Sequence, residues 1–300
     1  MHGAAGALLL LVLVLLPIQT EAQSLGDFRA EYAVYADGLH IAQVTVQASL
    51  TSSGYRIALH TETIGLFSLL KRGYSDSYAF GYFTPMGVAP QHFEFQSHWG
   101  GTLRQAAIDY RGGFPLVRLL IPDDTAERER IPREWLAGSI DNLSAVALLV
   151  HHLAHTGRCD GESRTFEGRM YFVISARTVG ETILTTTARS PYAGAALRCD
   201  FEGRALAGFL RSQEREEAEQ SQRGSAWFAT VLPNLPPVPI RLAFEMHWAG
   251  DAVFYLTTLQ QTGTEQAPTL EARHIPKPES SPDPPESAAP APDRPTRAPR

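Results

Sequence analysis

Cysteine is almost missing from this chain: Cys159 and Cys199 are the only two in 300 residues. They form no CxxC pair, which argues against a thioredoxin-like redox site. Basic clusters are missing as well. The 26 Lys and Arg are outnumbered by 32 Asp and Glu, a formal net charge of −6, so neither nucleic acid nor an anionic membrane surface is an expected partner. Glycine loops of the GxGxxG or P-loop kind do not occur, and nucleotide chemistry has no foothold. A GxSxG nucleophile elbow is also lacking. With 44% hydrophobic and 19% charged residues, the chain is too apolar for general disorder and has enough apolar content for a sizeable core.

The N-terminus carries the one long apolar run, Leu8 to Leu16, which is too short to cross a bilayer comfortably. Thr20-Glu21-Ala22 offers a small-x-small cleavage site before Gln23, so residues 1–22 read as a secretory signal and the protein as periplasmic. The leading residues contain no Lys or Arg, and the alternative reading is a retained N-terminal membrane anchor. No cysteine follows the run, which argues against a lipoprotein. In an oxidising compartment Cys159 and Cys199, 40 positions apart, are expected to form one disulfide. On the chain-entropy account such a loop contributes roughly 4 kcal/mol. Two buried thiols are the other reading.

Most of the remaining chain alternates apolar and polar residues with a period of two. Ala42, Val44, Val46, Ala48 and Leu50 alternate with polar neighbours, and Asp37-Gly38 joins them to Phe28–Ala36 as a hairpin. Further strands are predicted at Tyr55–Thr63, Ser75–Phe83, Gln91–Trp99, Thr102–Tyr110, Phe166–Ser175, Thr182–Arg189, Leu197–Phe201, Ile240–Trp248 and Ala252–Gln261. Residues 112–134 read as a polar connection, and Glu214–Arg223 as an exposed loop or short helix. One helix interrupts the strands within Gly138–Gly161. Ser139 or Asp141 caps it, Gly157 ends it, and Leu143, Val146, Ala147, Val150, Leu153 and Ala154 form its apolar stripe.

The expected fold is mostly β: a large curled antiparallel sheet, an open barrel or β-spiral, with one main α-helix packed against or inside it. It occupies residues 23–275, and residues 276–300, with nine prolines, form a disordered tail. Gly138-Ser139-Ile140-Asp141, Phe166-Glu167-Gly168-Arg169, Cys199 and Ala207-Gly208-Phe209 resemble, in order, the exported bacterial family called domain of unknown function 3108. The family's acidic D-G-R-R element stands here as Glu167-Gly168-Arg169-Met170. The resemblance implies a curled sheet similar in outline to periplasmic lipoprotein carriers and to β-spiral envelope-integrity proteins, and it implies no catalytic residues.

His151 and His155 share the i, i+4 spacing of a metal pair, but the zincin Glu is absent and the rings flank the apolar stripe, so no metal site is assigned. No catalytic residue or cofactor is assigned either. Aromatic residues on or beside the predicted strands are more suggestive. Phe93, Phe95, Trp99 and Trp248 are candidates to line a concavity holding a lipid or acyl chain. The expected function is envelope maintenance without catalysis, by binding a hydrophobic or amphipathic ligand. The alternative is a scaffold that engages another envelope protein through a strand edge and the Pro-rich tail.

Overall fold

The computed structural model of the chain describes residues 24–263, apart from Lys71 and residues 247–249. The segment expected to be a signal, residues 1–22, the expected tail, residues 276–300, and Trp248 therefore lie outside the described residues. One antiparallel sheet of thirteen strands accounts for most of what remains. Its strands are β1 (Ser24–Ala36), β2 (Leu39–Thr51), β3 (Gly54–Thr63), β4 (Gly73–Thr84), β5 (Gly87–Trp99), β6 (Thr102–Arg111) and β7 (Phe114–Ile121), followed by β8 (Gly161–Phe166), β9 (Tyr171–Leu184), β10 (Gly194–Ala207), β11 (Gln222–Ala229), β12 (Val238–Met246) and β13 (Gly250–Thr262).

Neighbouring strands run in the order β7-β6-β5-β4-β3-β2-β1-β13-β12-β11-β10-β9-β8. The two ends of the described chain thus pair in the middle of the sheet, β1 against β13, and the sheet curls into a nearly closed barrel whose seam lies between β7 and β8. Among the described residues four α-helices decorate it: α1 (Phe67–Leu70), α2 (Arg133–Leu136), α3 (Asn142–Thr156) and α4 (Arg215–Ala218). The Asp37-Gly38 hairpin forms as expected, with φ of 48° and 81° at its two central residues.

Antiparallel pairing sorts the connections to two ends. The β2–β3, β4–β5 and β6–β7 turns lie at one end, and the β1–β2, β3–β4, β5–β6 and β8–β9 connections at the other. Helix α3 sits at the first, since its partners Tyr55, Phe83 and Tyr110 are at the strand termini there. Its inward residues Leu143, Ala147, Val150 and Leu153 join one core with Tyr32, Val34, Val44, Leu50, Ile57, Phe93 and Ile108.

Five sequence expectations need correction. The strand expected at Thr182–Arg189 stops at Leu184, the last residue of β9, and residues 185–189 belong to the connection to β10. Val146 and Ala154 are exposed, because the face turned to the sheet is shifted to include Ser144, which is fully buried and hydrogen bonded. Residues 114–121 form β7 rather than part of a connection. Pro115 obscures it, and an edge strand tolerates a missing amide donor. The Phe166–Ser175 strand is in fact the end of β8, a Glu167–Met170 turn and the start of β9. Strand β11 begins inside the charged stretch read as loop, because its Gln222 and Arg223 face solvent.

Candidate functional site

Where the sheet fails to close, two arginines hold the seam. Arg128 donates through Nε and Nη2 to Oδ2 of Asp124 at 2.9 and 2.8 Å, and through Nη1 to the carbonyl of Gly208 at 2.8 Å. Arg169 reaches Oδ1 of the same Asp124 at 3.2 Å and donates to the carbonyls of Ile121 and Pro122 at 2.7 and 3.0 Å. Both guanidinium groups are buried. Burial alone would raise the Asp124 pKa, but the hydrogen bonds and charges of Arg128 and Arg169 outweigh it and hold the carboxyl below its ordinary range.

Backbone glycines allow this close approach. Gly208, with φ of 88°, packs so tightly that a Cβ there would run into the carbonyl oxygen of Arg169. The Ile140 amide donates to Arg164 and the Phe166 amide to Ile140, which ties the segment before α3 to β8. The family-like elements of the sequence, Gly138–Asp141, Glu167–Arg169 and Ala207–Phe209, therefore meet at the seam.

Beside the seam lies a half-open cavity of about 500 Å³. Strand β5 contributes Phe95, Ser97 and Trp99, β6 contributes Thr102 and Arg104, and the seam contributes Arg128, Glu167, Arg169 and Met170. Period-two alternation explains the lining. Phe93, Phe95, Ser97 and Trp99 share one face of β5 and oppose Ile108, Ala106, Arg104 and Thr102. Toward the helix end this row is solid core, and toward the far end it opens. Burial raises the Glu167 pKa, with the Met170 amide and the three arginines opposing it. Three guanidinium groups against Asp124 and Glu167 leave the wall with one formal positive charge in excess. Arg104 is the exposed member, and among the described residues it has no ion-pair partner.

A second polar group is closed to solvent. At the start of α3, Asp141 caps the helix by accepting the Ser144 amide at 2.8 Å and the Ser144 hydroxyl at 2.5 Å. Tyr55 donates to Ser144 Oγ at 2.6 Å and Tyr110 to Asp141 at 3.4 Å. Burial raises the pKa of Asp141 and of both phenols. Asp141 and Ser144 are thus held inside the core, and Ser139 donates back to the Leu136 carbonyl. His151 stacks on Phe83 with centroids 4.0 Å apart, and burial, then the neighbouring histidines, lowers its pKa. His155 meets the His151 carbonyl at 2.7 Å.

Of the four aromatic candidates, Phe95 and Trp99 share the cavity, Phe93 is buried in the core cluster, and Trp248 is outside the described residues. Arg104, Arg128 and Arg169 were not singled out from the sequence as site residues. Only Arg169 had a signal there, its place in the Glu167-Gly168-Arg169 element. The expected disulfide between Cys159 and Cys199 is present.

Residues 28–257 match the family described as "Protein of unknown function (DUF3108)". Among solved structures, a beta-barrel-like protein of domain of unknown function DUF1849 from Brucella abortus is 11% identical with a TM-score of 0.48, covering 80% of this chain and 99% of that one. A domain proposed to belong to an outer membrane lipoprotein-sorting protein of Vibrio parahaemolyticus is 10% identical with a TM-score of 0.23, covering 81% and 88%. No curated protein matches the chain. Both structural likenesses are too distant to carry a functional argument.

Proposed function

For this chain, which belongs to the DUF3108 family, we propose a non-enzymatic role in the periplasm: binding an amphipathic molecule, a lipid or free acyl chain, in the cavity at the seam. The observation that carries the proposal is the pairing of an apolar wall with a charged one. Phe95, Trp99 and Met170 offer contact area to a hydrocarbon chain, while exposed Arg104, which has no ion-pair partner among the described residues, offers a cation to an acidic headgroup. The ion pairs of Arg128 and Arg169 are already satisfied, so these residues build the wall rather than compete for the ligand. The disulfide and the apolar N-terminal run support an exported protein.

The test is native mass spectrometry of protein purified from the periplasm, with lipid extraction of the same sample and titration with a fluorescent fatty acid. A co-purified lipid, together with probe uptake that falls in Trp99→Ala and Arg104→Ala, supports the reading. Empty protein that takes up no probe sinks it.

A scaffold role has one observation in its favour. Strand β7 pairs only with β6, so its other edge lacks a strand partner among the described residues, and Val117 on it is exposed. Removing residues 276–300 separates the readings, since a scaffold relying on the tail loses its partner and a carrier keeps its ligand.

A further inference from the structure

We propose that the cavity at the seam takes a single-chain amphiphile bearing one negative charge, a long-chain carboxylate, in preference to a diacyl phospholipid or a doubly charged phosphate ester. The inference narrows the ligand reading given above and rests on it.

Size sets the number of chains. The cavity encloses about 500 Å³. At roughly 30 Å³ for each non-hydrogen atom, the share a water molecule takes in its liquid, that is room for about 17 atoms, one acyl chain with its head. Its boundaries are held in place. At the deep end Phe93, Ala106 and Ile108 are buried core. Along β5 the Trp99 indole lies against the backbone of Gly73 in β4, so close that a Cβ on Gly73 would strike the ring. At the seam Gly168 packs on Leu120 and Ala106, which a Cβ there would touch. Arg128 is fastened to the Gly208 carbonyl, and Arg169 to those of Ile121 and Pro122. Room for a second chain requires the seam to swing outward, and that breaks buried hydrogen bonds to charged groups.

Charge sets the head. Arg104 comes from β6, Arg128 and its partner Asp124 from the segment after β7, and Glu167 and Arg169 from the β8–β9 turn, while β5 brings no ionisable lining residue. Asp124 already holds both Arg128 and Arg169. A head with one negative charge therefore meets Arg104 and brings the group, with its single positive charge in excess, to neutrality. A second negative charge finds no cation left among the lining residues and faces Glu167, whose charged form burial already disfavours. A head without charge leaves Arg104 to water, so a neutral chain binds through its apolar contacts alone.

The experiment displaces a bound fluorescent fatty acid from the full chain with four competitors, each kept below its micelle concentration. Dodecanoate has one chain and one charge, dodecanol one chain and no charge, dodecyl phosphate one chain and two charges, and dioctanoyl phosphatidylglycerol two chains and one charge. The measurement is made at about pH 8, above the second phosphate pKa of about 6. Dodecanoate should displace the probe at a concentration roughly tenfold below that of dodecanol, the worth of one hydrogen bond to a charged group. Dodecyl phosphate and dioctanoyl phosphatidylglycerol should each be weaker than dodecanoate by a similar factor. In Arg104→Gln, a change at an exposed side chain, the gap between dodecanoate and dodecanol should close. Any of the other three competitors matching dodecanoate overturns the proposal, as does a gap that persists in Arg104→Gln. A probe that binds while the competitors fall in the wrong order ends this inference alone. A chain that takes up neither the probe nor any competitor ends the cavity reading and this inference with it.

Discussion

The phenol of Tyr55 donates a 2.6 Å hydrogen bond to the hydroxyl of Ser144, which fastens the start of β3 to the first turn of α3. Ser144 donates its own hydroxyl hydrogen bond to Asp141 Oδ2 at 2.5 Å, so the cap and the cross-link form one directed chain inside the core. Replacing Tyr55 with Phe removes the first link and leaves Ser144 its bond to Asp141. The expected loss is about 1 kcal/mol, a fall in Tm of roughly 2–4 °C for a domain of this size. Asp141→Ala strips both the cap and the acceptor of a buried hydroxyl, so about 3 kcal/mol is expected. Thermal unfolding followed by circular dichroism measures both. Equal Tm values for Asp141→Ala and wild type would mean that the network does not hold the helix.

The disulfide ends the same helix unit on its other side. Cys159 follows α3, its amide donates to Thr178 Oγ1 at 2.9 Å, and Cys199 lies opposite Thr178 in the β9–β10 register. Asp160 accepts the Thr178 amide and hydroxyl at 3.0 and 2.7 Å, so the bridge ties down a segment that hydrogen bonds already place. Cys159→Ser and Cys199→Ser should each lower stability by roughly 4 kcal/mol, visible as a fall in Tm of roughly 8–16 °C under oxidising conditions. Adding reductant should lower wild-type Tm toward that of the variants while leaving theirs in place.

Wall and mouth of the cavity should separate by their effects. Arg128→Met leaves Asp124 and the Gly208 carbonyl each short of a partner at a buried site, and about 3–5 kcal/mol of destabilisation is expected. Exposed Arg104→Ala should change stability by less than about 0.5 kcal/mol. On the proposed reading its effect should fall instead on fatty-acid affinity, since Arg104 has no ion-pair partner among the described residues and would meet the headgroup. Denaturant unfolding paired with probe titration reads both quantities. Arg104→Ala that unfolds easily while keeping its affinity would place Arg104 in the structure of the wall.

Different parts of this architecture were legible in the sequence to different degrees, for physical reasons. The hairpin at Asp37-Gly38, the alternation in β2 and the caps of α3 announce themselves, because local backbone preference and period specify them. Strand β7 does not, since Pro115 is a turn signal unless an edge position is already known. The face of α3 is off by one residue because Ser144 reads as polar until its partner, 89 residues away in β3, is known. Two of the cavity's aromatic residues follow from alternation in β5. The arginines do not, because Arg104, Arg128 and Arg169 come together only when β6, the seam segment and the β8–β9 turn converge.

On the outer face of the sheet, His92 links three charges and sets a pH dependence. Its Nδ1 lies 2.8 Å from Asp109 Oδ1 and its Nε2 3.6 Å from Glu94 Oε2, while Arg118 donates to Asp109 Oδ2 at 2.8 Å. Glu94 raises the imidazole pKa most, burial opposes it, and Asp109 adds to the rise. His92 and Arg118 hold the Asp109 carboxyl below its ordinary range. A raised imidazole pKa gives stability that is full below the unfolded value of about 6.5 and is lost as pH rises through the folded value. A lowered carboxyl pKa gives stability that is full above about 3.9 and is lost as pH falls through its folded value. The cluster should therefore contribute most between about pH 4 and 6.5 and fade above that range. Because these side chains are partly exposed, the contribution should shrink with added salt. An NMR titration of the His92 ring in wild type and in the Glu94→Gln, Asp109→Asn double variant tests it. The midpoint should drop in the variant, and the decline of wild-type stability above pH 6.5 should weaken with it. An unmoved midpoint would mean that the two carboxylates do not set the charge of His92.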